Sequence, residues 1–219
     1  MDNLRRTTVL VVSVIAGVLF CLADNTRAGI PAITATTVLD GVELRDQDGR
    51  AVNARDLRGH ILLLNFVYTS CSSTCPVQTH QLVVLQQALA AKKLSKRVVF
   101  LSVSVDPMND GPSELKEYGR RHGVDFSNWR FATGDVRDID RLVRRLSVLE
   151  RQAGNLQLDT HNTDLRLMAP DGRFVQRYVG RPVDTDRLVR EIELLEKLSG
   201  PSRPRGTSAV TTMAVARMT

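Results

Sequence analysis

Cysteine is scarce in this chain, with three in 219 residues. One of them, Cys21, lies in an apolar N-terminal run, which leaves Cys71 and Cys75 for everything that follows. Two cysteines four positions apart close almost no loop, so a disulfide between them would restrict the unfolded chain very little. A disulfide-stapled scaffold is thereby excluded, and chemistry is the reason for the pair. Aromatic residues are also few: one Trp, three Tyr and six Phe. Without an aromatic platform, the net charge of +6, carried by scattered arginines, reads as a solvated surface and not as a nucleic-acid footprint. No internal repeat is visible. Histidines number only four, so each can be weighed separately.

Long uncharged stretches are absent except at the start, where Arg5 and Arg6 precede "TTVLVVSVIAGVLFCLA" (7–23). A basic n-region followed by an apolar h-region is the pattern of an export signal. At 17 residues the run is at the short limit for a spanning helix. Residues 1–30 therefore fit either a cleaved signal peptide or an uncleaved membrane anchor, and cleavage after Ala28, with Thr26 at the −3 position, is acceptable. Cys21 is discounted as a lipidation site, because Phe20 stands where a small residue is expected. With Arg5 and Arg6 retained inside, the domain is expected on the periplasmic side of the inner membrane, anchored or secreted, in an oxidising compartment.

Beyond the leader, buried strands alternate with helices. Residues 42–60 turn at Asp48 and Gly49 and read as a short hairpin or a pair of extended segments. "ILLLNFVY" (61–68) and "RVVFLSVSV" (97–105) are continuous apolar runs of strand length, as expected for strands covered on both faces. Between them, from Pro76, Leu82, Leu85 and Leu89 recur at helical spacing. A second helix is expected near Pro112, a suitable first-turn residue, then a short extended piece at 129–134 and a helix from Asp135 to about Leu149. Residues 164–170 and 173–180 form a hairpin about Asp171 and Gly172, and 183–198 an amphipathic last helix. The tail, 200–219, lacks periodicity and reads as disordered. Two strands joined through a helix imply a parallel pair with a right-handed crossover, and the hairpin adds antiparallel strands. The fold class is α/β: a thioredoxin-like mixed sheet flanked by helices, over 38–198.

The cysteines lie in "TSCSSTCP" (69–76), at once after the first buried strand. Pro76 suits the first helical position and disfavours a helical Cys75, which places Cys75 at the helix entrance and Cys71 in the turn before it. Free backbone N–H groups and the positive end of the helix dipole there favour thiolate over thiol. Both sulfurs are thus suited to act as metal ligands or as a redox pair. His60 and His122 sit at element ends as solvated or capping residues, and His80 falls on the wet side of the following helix. His161 differs. It stands in "LDTHNTDLRLM", three residues before the strand at Asp164, in the loop that faces the cysteine turn in a thioredoxin-like fold. That loop has no proline, where ordinary thioredoxins carry a cis-proline. Two thiolates and an imidazole form a soft, low-coordinate set suited to Cu(I), and with an added ligand to Cu(II); zinc would call for a fourth strong ligand or a water.

The stretches "LLLNFVYTSCSSTCP", "LSVSVDPMND" and "DTH" before "DLRLMAPDGRFVQRYVG", with the N-terminal anchor, resemble the Sco/SenC family of copper-binding thioredoxin-like proteins. The resemblance spans roughly 38–198, and its specific part is the C-x-x-x-C-P with the distant histidine. It implies Cys71, Cys75 and His161 as copper ligands and Asp106 as an acidic residue near the site, a residue that equally serves as a turn-former before Pro107. The chain departs from the family in carrying Ser72, Ser73 and Thr74 between the cysteines and Val77, Gln78 and Thr79 after them, where Asp or Glu is common. It also stretches the usual Asp-His-Ser to Asp159-Thr160-His161-Asn162.

The resemblance implies a copper chaperone that delivers copper to a respiratory oxidase, most simply the binuclear copper centre of cytochrome c oxidase. The alternative is a periplasmic thiol-disulfide reductase acting on a partner's cysteines, which requires only Cys71 and Cys75. The two coexist, because the thiols must be reduced to bind metal. A peroxidase is ruled against by "NFVYTSC", which lacks the proline that peroxiredoxins carry upstream of their cysteine. Should the copper ligands lie elsewhere, Met108, Met168 and His80 are the next places to look.

Overall fold

The run at 61–67 is apolar at every position but Asn65, and a strand can bury such a run only if both faces of its sheet are covered. The computed structural model describes residues 38–146, 149–152, 155–161 and 163–199; the segments read as leader (1–30) and tail (200–219) lie outside the described residues. Among the described residues the order is β1 (Leu44–Asp46), α1 (Ala54–Leu57), β2 (Ile61–Val67), α2 (Thr74–Ala91), β3 (Val98–Ser104), α3 (Pro112–Arg121), β4 (Trp129–Gly134), α4 (Val136–Arg145), β5 (Leu149–Gln152), β6 (Asn155–His161), β7 (Leu165–Met168), β8 (Phe174–Tyr178) and α5 (Thr185–Ser199).

Six strands make one sheet in the order β1-β4-β3-β2-β7-β8. The pairs β2–β3 and β3–β4 are parallel, and β1, β7 and β8 join antiparallel. The period-two geometry of β2 divides its side chains between two cores. Leu62, Leu64 and Phe66 pack with Leu57, Ile139 and Leu142 from α1 and α4. Ile61, Leu63 and Val67 pack with Leu82, Leu115 and Leu188 from α2, α3 and α5. Each such Leu or Ile contributes about 1.5–3 kcal/mol on burial. Helices on both faces of a mixed sheet are the thioredoxin-like architecture that the element order implies.

Several expectations need correction. The strand at 44–46 finds its partner in β4, with Leu44 opposite Gly134, and only the bridge Arg45 to Ala51 remains of the expected local hairpin. The next four-residue segment is helical instead of extended. Helix α4 opens at Asp135, whose carboxylate accepts from the Asp138 N–H at 2.9 Å, but it stops at Arg145, so Leu149 begins a strand and does not end a helix. Arg145 anchors that end by donating to the main-chain oxygens of Val38 and Asp40. Finally, the segment read as a loop before Asp164 is the second strand of the β5–β6 ribbon, in which His161 pairs with Leu149.

Candidate metal and redox site

Strand β2 carries the chain to one end of the sheet, and the turn 68–73 reverses it into α2. Three ties hold that turn. The Cys71 N–H donates to the Tyr68 oxygen at 3.3 Å. The N–H and hydroxyl of Thr69 both donate to the carboxylate of Asp110, at 3.0 and 2.5 Å. Asp110, itself fully buried, also accepts from the Ser104 hydroxyl at 2.5 Å. A carboxylate so enclosed must be matched by donors, and here it uses them to fasten the cysteine turn to the end of β3.

Helix α2 begins at Thr74, so Pro76 occupies its third position and not the first, and Cys75 is helical. Proline is tolerated there because the first-turn N–H it lacks has no partner within the helix. The Ser73 hydroxyl at the N-cap position caps nothing. Instead, the Cys75 N–H donates to Cys71 Sγ at 3.4 Å, and the Thr74 hydroxyl lies 3.5 Å from the same sulfur. Cys71 Sγ therefore serves as the acceptor at the helix entrance.

The consequence is an asymmetric pair. Both cysteines are reduced and buried, Cys75 at 1 % exposure. Burial pushes the Cys71 thiol up, but hydrogen bonds from Thr74, the Cys75 and Ser73 main chain and the Cys75 thiol together outweigh it and bring it down to about 6. Burial pushes Cys75 up to about 12, and the Cys71 sulfur adds to the rise, against a partial offset from the Tyr68 main chain. One sulfur is a thiolate at neutral pH and its neighbour holds a proton.

The expected third group lies on the β5–β6 ribbon. His161 closes β6, and its main chain pairs with Leu149. Among the described residues no cluster of three His, Cys, Asp or Glu is assembled. The stretch just past His161 is nevertheless tied to the cysteine helix, because Gln78 donates to the main-chain oxygen of Thr163. Of the other histidines, His80 is exposed on α2, His60 is partly buried before β2, and His122 ends α3 against the Tyr118 ring at 4.5 Å between centroids. Met108 is exposed, whereas Met168 is fully buried in the core that also holds the cysteines. Asp106 acts as the turn-former. Its carboxylate accepts from Asn109 Nδ2 at 3.0 Å, and its main-chain oxygen accepts from the Asn109 and Asp110 N–H groups. The acidic residue joined to the cysteine turn is Asp110, which sequence reasoning missed; the signal was the hydroxyl-bearing Thr69 beside the motif and a second Asp in "DPMND".

Residues 33–196 match the SCO1/SenC family model. The SCO1 protein homolog of Bacillus subtilis (strain 168) is 32% identical over 139 residues, 62% of this chain and 70% of that one. Among solved structures, BsSco, described as a member of the Sco family of cytochrome c oxidase assembly proteins with a disulfide switch, superposes with a TM-score of 0.60 at 28% identity, covering 70% of this chain and 90% of its own. Bradyrhizobium japonicum ScoI, solved with copper bound, superposes at 0.59 with 26% identity, covering 71% and 97%. On the family match, the paired thiols at the helix entrance and the six-stranded mixed sheet, this chain belongs to the SCO1/SenC family.

Proposed function

We propose that this protein is a copper chaperone, which carries copper on Cys71, Cys75 and His161 and delivers it to a copper-accepting subunit of a respiratory oxidase, most simply the binuclear copper centre of cytochrome c oxidase. The observation that carries the reading is the sulfur pair at the helix entrance, with the Cys75 N–H on Cys71 Sγ. A thiolate presented there, with a second thiol one helical step away, is a soft donor set for Cu(I). The copper bound by the Bradyrhizobium japonicum relative supports it, as does the oxidase-assembly role given to BsSco. The working domain is 38–198, held on the periplasmic side of the inner membrane by residues 1–30 or released there by cleavage.

The test is metal analysis of the reduced domain with and without His161. One copper per chain is expected, and His161→Ala weakens Cu(II) more than Cu(I), since the thiolates alone still suit the softer ion. Equal copper content and identical visible spectra in the two proteins would remove His161 from the site.

The asymmetry of the pair supports a second role, thiol-disulfide reductase toward a partner's cysteines. The Cys71 thiolate attacks a partner disulfide, forming a mixed disulfide and releasing one partner thiolate. Cys75 then gives up its proton and attacks the Cys71 sulfur, which closes the Cys71–Cys75 disulfide and releases the second thiolate. Two electrons pass to the partner, whose two sulfurs take up protons. The disulfide switch of BsSco supports this role.

A further inference from the structure

Gln78 is one of the residues by which this chain departs from the acidic pattern beyond the cysteines, and it is 1 % exposed on α2, three residues past Cys75. Its carboxamide is saturated. Nε2 donates to the main-chain oxygens of Thr163 and, at 2.9 Å, Gly180, while Oε1 accepts from Asn65 Nδ2 at 3.2 Å. The chain continues across the sheet: Asn65 Oδ1 accepts from the Ser102 hydroxyl at 2.7 Å, and Ser102 Oγ accepts from Trp129 Nε1 at 2.9 Å. Trp129 is fully buried and stacked between Phe100 and Phe131, which fixes the far end.

Three strands therefore brace one amide, and that amide grips the main chain two residues beyond His161. The approach is close enough that a Cβ on Gly180 would collide with both the Thr163 oxygen and the Gln78 amide, so only glycine fits. We propose that Gln78 is a positioning residue that sets where the His161 segment stands relative to Cys71 and Cys75, and through it the share of the histidine in copper binding. The proposal rests on the copper reading above, and it adds to that reading the part of the chain that holds the third ligand in register. Both functions of the amide nitrogen are needed: a carboxylate at this position would keep the acceptor for Asn65 but turn an oxygen toward two carbonyl oxygens.

The experiment compares wild type, Gln78→Glu and Gln78→Met, each reduced, by hydrogen exchange of the metal-free protein and by titration with Cu(I) and Cu(II). In both variants the amides of 159–165 should exchange at least tenfold faster than in wild type, while those of 61–67 stay slow. The Cu(II) affinity should fall about 10- to 100-fold, the range found when an outer partner of a metal ligand is removed. The visible Cu(II) spectrum should shift toward that of His161→Ala, with Cu(I) affinity within about twofold of wild type. Gln78→Met removes both donors without adding a charge, so it decides the matter if the Glu variant does not fold. Unchanged exchange at 159–165 in a folded variant overturns the proposal, as does faster exchange with an unaltered Cu(II) spectrum, or equal loss of both copper ions. If wild type itself bound no copper, the copper reading would fall, and the exchange data alone would still show whether Gln78 holds the segment.

Discussion

At the scale of single residues, the chemistry of the site is a matter of which sulfur holds the proton. With Cys71 brought from the ordinary thiol value down to about 6, about ten thiolates stand for each thiol at pH 7. Reactivity follows the thiolate, so it rises with pH through that value. Alkylation of the reduced, metal-free protein should therefore show one cysteine titrating with a midpoint near 6, and peptide mapping should assign it to Cys71. Cys75, pushed up to about 12 by burial, should stay unmodified until the protein is denatured. The hydroxyl of Thr74 is among the groups that hold Cys71 down, so Thr74→Val should move the midpoint upward by about one to two units, the scale of a hydrogen bond to a charged group. A midpoint unmoved in Thr74→Val would leave the main-chain N–H of Cys75 as the chief cause.

At the scale of elements, the cysteine turn depends on a neighbour far away in sequence. Thr69 and Asp110 are 41 residues apart, and the carboxylate between them joins the turn after β2 to the loop after β3. Asp110→Ala leaves the buried Ser104 hydroxyl and the half-buried Thr69 N–H and hydroxyl without their acceptor, at a cost of about 1–3 kcal/mol for the buried group and less for those that water can reach. Urea unfolding should show a destabilisation of at least about 2 kcal/mol for Asp110→Ala, and a smaller one for Asp110→Asn, which keeps an oxygen acceptor. Asp106→Ala, which loses only the Asn109 amide contact, should cost less than either. The same distances explain what was legible beforehand. The strands β2, β3 and β4, the helices α3 and α5 and the β7–β8 hairpin each carry a local pattern: an apolar run, a Pro at the first helical position, a Gly in a turn. Cys71 and Cys75 were legible for the same reason, since spacing and Pro76 are local. The alternation Leu156, Leu158, Thr160 offered a strand signal for β6, but the charged start of the ribbon concealed its partner. For Asp110 the sequence held only the hints of Thr69 and the second Asp in "DPMND", and for the role of Gln78 none, because these roles lie in bonds to Thr69 and to Thr163, the latter 85 residues away. Spacing along the chain does not encode such partners.

At the scale of the whole molecule, compartment and cargo both act on the same pair of sulfurs. An exported domain meets oxidants, so the leader reading has a direct test: a reporter active only in the periplasm, fused after Leu198, should give signal, and one active only in the cytoplasm should not. Signal from the cytoplasmic reporter would sink the delivery hypothesis with it. The dithiol has two fates, a disulfide or a metal complex, and a disulfide has no thiolate left to donate. Any ligand that binds only the folded, reduced form stabilises it by mass action, by about 2.7 kcal/mol at a hundredfold excess over Kd. For a chain of this size each kcal/mol moves Tm by roughly 2–4 °C, so saturating Cu(I) should raise Tm of the reduced protein by about 5–10 °C. The oxidised protein should show no shift until a reductant is added, and copper loading should protect both cysteines from alkylation. Cys71→Ser and Cys75→Ser should each abolish the shift, because one thiolate with His161 is a poorer donor set for Cu(I). If the oxidised protein were stabilised as much as the reduced one with its disulfide intact, the copper ligands would have to be sought away from these sulfurs, at His80 or Met108 on the exposed surface.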